Sequence, residues 1–182
     1  MCLDYNQLSG EIPSEIGLTN LTYLSLSDNQ FTGEIPPEIG ELMNLTYLSL
    51  YGNELIGEIP SEIEQLTNLT YLYLDNNQLT GEIPSGIGNL TYLRWCYLNN
   101  NQLTGEIPLG VGNLTNLDEL WLNINQLSGK IPESICDLDL NFGGVNNWGD
   151  EYFNIEENQL CPPYPSCIED FVVGNQDTTN CD

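Results

Sequence analysis

The feature that most constrains this chain is a repeat of 24 residues. Leu21, Leu45, Leu69, Leu93 and Leu117 are each 24 positions apart, and so are Asn29, Asn53, Asn77, Asn101 and Asn125, and Gly33, Gly57, Gly81, Gly105 and Gly129. A chain with such a period stacks equivalent units, each burying its apolar face against the next. Leu24/Leu26, Leu48/Leu50, Leu72/Leu74 and Leu120/Leu122 alternate at period two. Both members of each pair therefore point inward from a short strand. Ile35, Ile39 and Leu42, with their equivalents, fill the same core from the return side. The Asn column is expected to satisfy buried backbone groups where the chain leaves the strand. Gly33 and its equivalents suit a turn of unusual dihedrals, and Pro36 and its equivalents stiffen the return path.

The unit that starts at Leu69 reads LTYLYLDNNQLTGEIPSGIGNLTY. It matches the pattern LxxLxLxxNxLxGxIPxxIGxLxx and so resembles the plant-specific leucine-rich repeat. By this resemblance the fold is an α/β-type repeat solenoid, a right-handed superhelix with a parallel concave β-sheet and a 3-10 or irregular convex side. The chain is similar to receptor-kinase ectodomains and polygalacturonase-inhibiting proteins. Its Cys161-Pro-Pro-Tyr-Pro-Ser-Cys167 tail resembles that of bacterial leucine-rich-repeat proteins. The resemblance implies a binding module whose ligand lies on the concave face.

Departures from the period mark the ends. Asn6 to Asn29 is 23 residues, and Asn125 to Asn158 is 33. The sequence divides into leucine-rich repeats over 1–138 (about six units of 23–24 residues, the first truncated), an insertion over 139–151, and a degenerate last repeat with a Cys-rich cap over 152–182. The insertion contains Phe142, Gly143, Gly144 and Trp148. Cys136, Cys161, Cys167 and Cys181 crowd the end as candidates for a disulfide-stapled cap, with three pairings open. Cys96 replaces a core Leu and is expected to stay a buried thiol. Leu3 takes the second inward position of a strand whose first half is missing. The open edge predicts self-association, a homodimer through residues 1–24, with the chain either a fragment or a product whose secretory signal has been removed.

Charge narrows the functions. The chain carries 27 acidic residues against Arg94 and Lys130, a formal −25, and has no histidine. Nucleic acid is excluded because binding it needs Lys and Arg to displace counterions. No apolar run approaches the roughly 18 residues of a membrane span, so no membrane insertion is expected. The clustered cysteines favour an oxidising, extracellular or cell-surface setting. Glu11, Glu34, Glu58, Glu82 and Glu106 form a carboxylate column with the spacing of a glycosidase pair. The repeat generates that spacing at every turn, so the column reads as a solvated face. Without histidine there is no base for a nucleophile, and no cofactor or metal site is assigned. Asn-X-Thr sequons at Asn20, Asn44, Asn68, Asn89 and Asn113 matter only in a glycosylating host. The reading is a non-enzyme.

The outward strand positions carry the functional signal. The first column is Tyr23, Tyr47, Tyr71, Trp95 and Glu119; the second is Ser25, Ser49, Tyr73, Tyr97 and Trp121; the third is Ser27, Tyr51, Asp75, Asn99 and Asn123. Six of ten tyrosines and two of three tryptophans fall there, a concentration that random placement does not produce. Aromatic rings with wet edges favour binding surfaces. The candidate ligand-binding residues are Tyr47, Tyr51, Tyr71, Tyr73, Trp95, Tyr97, Trp121, Asp75 and Glu119, and the expected partner is a protein, peptide or glycan. The alternative is a structural or adhesion repeat that self-associates. A further one is ice binding on the rungs Thr22/Thr46/Thr70 and Thr80/Thr104. Arg94 is expected to pair with Asp118 rather than with a ligand.

Overall fold

A computed structural model describes residues 1–182 except Thr19, Trp148, Asp150, Glu169 and Asp182. The tryptophan of the insertion therefore lies outside the described residues. Six short strands form one parallel sheet in chain order: Tyr23–Ser25, Tyr47–Ser49, Tyr71–Tyr73, Trp95–Tyr97, Glu119–Trp121 and Phe153–Asn154. The register pairs Leu24, Leu48, Leu72, Cys96, Leu120 and Phe153 along a single inward row. Opposite this sheet the chain returns through 3-10 turns, such as Pro37–Glu41, Ser61–Gln65 and Ser85–Asn89, each preceded by an extended or near-extended proline. A 3-10 turn is short enough to close a coil of this length, and its Ile39, Ile63 or Ile87 drops into the core. The core is a continuous column of buried residues, mostly Leu and Ile, from Ile12 to Val173. Among the described residues no helix is long and apolar enough to cross a membrane.

The Asn column does what its position demands. Asn77 Nδ2 donates to the carbonyls of Leu50 and Leu74, at 3.0 and 3.1 Å, while its Oδ1 accepts the Leu55 N–H at 3.1 Å. Each rung thus ties its own strand end to the preceding coil. Immediately before each rung stands a left-handed residue: Tyr5, Asp28, Gly52, Asn76, Asn100, Ile124 and Glu157, with φ between 50 and 66°. Ile124 is the costly member, because a β-branched residue there sets its Cβ against the following carbonyl. It is also 40% exposed, so little packing opposes a change. Ile124→Asn, matching Asn76 and Asn100, is expected to stabilise the fold by roughly 1 kcal/mol. A higher urea midpoint at constant slope would register this; a lower midpoint would refute the strain.

The C-terminal end is closed by covalent and polar devices together. Cys136 bonds Cys167 and Cys161 bonds Cys181, which selects one of the three pairings. Gln176 then stands in for the next ladder asparagine. Its Oε1 accepts the Leu160 N–H at 3.0 Å, and its Nε2 donates to the Ile155 and Val173 carbonyls at 2.9 and 2.8 Å. Cys96 is a buried free thiol, and burial pushes its pKa up to about 12.

Candidate binding face

The outward columns gather into one surface. Tyr23 stacks on Tyr47 with ring centroids 4.2 Å apart, and Tyr97 stacks on Trp121 at the same distance. Between them Tyr47, Tyr71, Tyr73, Trp95 and Tyr97 connect in tilted and edge contacts of 4.9 to 6.4 Å. A parallel strand spacing near 4.8 Å brings side chains of the same column to ring-contact distance, so the register builds the array. Burial among these rings raises the hydroxyl pKa values of Tyr47, Tyr73 and Tyr97, so they face the surface as neutral donors and acceptors.

Six of the nine residues singled out from sequence surround the array's polar centre or lie in it. Tyr47, Tyr51, Tyr73, Asp75, Tyr97 and Trp121 line a cavity of about 300 Å³. Tyr71 and Trp95 lie beside it, in ring contact with Tyr73. Glu119 differs: it is 4% exposed and accepts hydrogen bonds from the Tyr97 hydroxyl and, at 3.2 Å, from Asn146 Nδ2. Its role in the fold is to hold Tyr97 and the inserted loop in place.

Five contributors stand outside the candidate set read from sequence. Ser25, Ser27 and Ser49 are buried at the floor, with Ser27 and Ser49 hydroxyls 2.5 Å apart. Asp4 and Tyr5 close one side of the cavity. The 23-residue offset that relates Asn6 to Asn29 also puts Asp4 beside Ser27 in the third column, which was a usable signal. The insertion folds back over the other end, where Trp121 Nε1 donates to the Glu151 carbonyl at 2.6 Å and Phe142 packs edge-on against Phe153.

Electrostatics at the centre is one-sided. Asp75 is 6% exposed and accepts a hydrogen bond from Asn76 Nδ2 at 2.8 Å. Burial lifts its pKa to about 6 despite that bond. Neither basic residue serves it. Arg94 pairs with Asp118 at 2.5 Å on the flank, and Lys130 belongs to the strand Ser128–Lys130, which pairs with Gln159–Cys161 in a separate sheet. Asn99 Oδ1 and Asn123 Oδ1, further along the same column, are buried without a partner among the described residues.

A stacked-coil solenoid with a parallel concave sheet and an asparagine ladder is the architecture of a leucine-rich-repeat protein. The leucine-rich repeat region family matches residues 11–140, and the chain belongs to that family. Its structure is similar to the ectodomain of the plant receptor kinase GASSHO1/SCHENGEN3 from Arabidopsis thaliana in complex with CASPARIAN STRIP INTEGRITY FACTOR 2 (38% identity, TM-score 0.78, 85% of this chain and 18% of that one). It is similar to PEPR1 bound to AtPEP1 (37%, 0.79, 87% and 21%) and to a plant ice-binding protein (32%, 0.78, 88% and 49%). The chain thus spans about a fifth of each of the first two structures and about half of the ice-binding protein. No curated protein matches it.

Proposed function

We propose that this chain is a non-catalytic recognition module of an extracellular or cell-surface protein, and that it holds an extended peptide or protein segment across the concave sheet. The observation that carries this reading is the unbroken aromatic array from Tyr23 to Trp121, in which Tyr23 is exposed and the other rings are half-buried. Rings supply large contact area at low conformational cost, and their hydroxyls supply directional bonds. The array crosses the strands, so a ligand lying along it meets a new unit about every 4.8 Å. One of the similar structures is a receptor-kinase ectodomain in complex with a named factor, which favours a protein or peptide over a glycan.

The test is a peptide and glycan array probed with the purified chain and with a Tyr71→Ala, Trp95→Ala, Tyr97→Ala triple variant. Aromatic anchors of this kind are worth about 2 kcal/mol or more each, so binding should fall at least 100-fold. All three side chains face outward, and an unchanged circular dichroism spectrum would separate lost binding from lost fold. Equal binding by both proteins would move the site off the concave face. A glycan as the captured ligand would replace the peptide reading.

A further inference from the structure

On the peptide-binding reading above, we infer that the cavity centred on Asp75 receives the ammonium group of a lysine side chain carried by the partner. Asp75 lines that cavity and is almost wholly withdrawn from water, and its hydrogen-bond partners are neutral: the Asn76 amide on Oδ2 and a backbone N–H. A buried carboxylate without a countercharge is unfavourable, and what relieves it is a cation brought to it. The chain has only two basic side chains to offer, and both are engaged elsewhere or lie in another sheet, while the N-terminal ammonium donates to the Tyr23 carbonyl. The partner must therefore supply the charge.

The walls suit the same group. Tyr51, Tyr73, Tyr97 and Trp121 surround the cavity, and aromatic faces attract cations through their quadrupoles. Neighbouring carboxylates add field without filling the site: Asp4 lines the cavity, and Asp28 acts on both Asp75 and Tyr51. The donor–acceptor count selects lysine over arginine. A guanidinium presents a fork that wants both oxygens of a carboxylate. Here the Asn76 amide and a backbone N–H already occupy part of the carboxylate's acceptor sites, and what remains, with the serine hydroxyls that line the same cavity, fits a compact three-donor ammonium better than a fork that needs both oxygens.

The experiment is an NMR titration of the whole chain at 0.3 M salt, which suppresses diffuse attraction to its acidic surface. The probes are acetyl-Ala-Lys-Ala-amide, its norleucine and arginine counterparts, and n-butylammonium chloride. The expected result is saturable binding of the lysine peptide, with shifts at the Asp75 carboxyl carbon and the Tyr51, Tyr73 and Tyr97 rings. Affinity should drop about tenfold or more for norleucine and for an Asp75→Asn variant, and stay unchanged for Glu82→Gln, an exposed carboxylate on the turn column. Equal binding of norleucine, or of the Asp75→Asn variant, would overturn the inference. Tighter binding of the arginine peptide would overturn the choice of lysine, and an n-butylammonium ion bound as tightly as the peptide would overturn a peptide source. If array peptides without a basic residue bind the concave face while the lysine probe does not, this inference falls and the peptide-binding reading stands.

Discussion

Replacing Asn101 by alanine is expected to cost roughly 2–4 kcal/mol of stability, in the range of deleting a core leucine. Asn101 Oδ1 accepts the Leu79 N–H at 3.0 Å, and its Nδ2 donates to the Leu74 and Leu98 carbonyls at 3.0 and 3.1 Å. Leu74, Leu79 and Leu98 have essentially no solvent exposure, so no water can take over. The truncation therefore strands the Leu79 amide, worth about 1–3 kcal/mol when buried and unpaired, and removes one of the two ladder bonds that the Leu74 and Leu98 carbonyls accept, the others coming from Asn77 and Asn125. The damage spreads, since the bonds from Leu79 and Leu74 belong to the preceding coil and neighbouring coils stabilise one another. Asn99→Ala is the matched control: the same side chain two positions earlier has its Oδ1 without a partner and should cost far less. Urea denaturation followed by circular dichroism reads both. A loss below about 1 kcal/mol for Asn101→Ala would mean that the ladder is ornamental and the leucine column alone holds the coils together.

Most of this fold is legible because its determinants recur in kind. Leu, Asn, Gly and Pro each return every 24 residues, and each column keeps one residue type because one physical demand recurs there. The left-handed column escaped notice for the converse reason. Asp28, Gly52, Asn76, Asn100, Ile124 and Glu157 share a backbone conformation but no chemistry, so periodicity of letters cannot report it. Gln176 was hidden as well, since it reaches the ladder through a longer side chain and from outside the repeat. At the site, alternation was enough to place the rings on one face. It could not say that the 139–151 segment would return to hold Trp121 and Glu119, because that contact joins residues with no periodic relation. Nor could it say which outward positions would end up dry. Asp75 reads as one outward polar residue among many, and only the structure shows it almost wholly buried beside Tyr51, Tyr73 and Tyr97.

Asp75→Asn should stabilise the protein by about 3 kcal/mol at pH 8 and by almost nothing at pH 3. Burial raises the Asp75 pKa from 3.8 to about 6, so the folded state holds this proton more tightly than the unfolded chain does. The sign follows from that. Below the unfolded value the group is protonated in both states and carries no charge penalty. As pH rises through about 6 the folded protein must ionise a carboxylate withdrawn from water, and stability falls. An amide at this position has no such penalty, so the gap between variant and parent opens between about pH 4 and pH 7. For a chain of this length it corresponds to roughly 5–10 °C in Tm at the upper end. The rest of the acidic surface titrates alike in both proteins and cancels in the comparison. Asn99 and Asn123 occupy the same column in the next two units, so the coil accepts an amide there without rearrangement. The fold therefore does not require the carboxylate. A residue that lowers stability where a neutral isostere fits is the mark of a position kept for what it binds. If Asp75→Asn proves neutral across this pH range, the carboxylate is solvated after all, and the claim that it waits for a partner's positive charge loses its energetic basis.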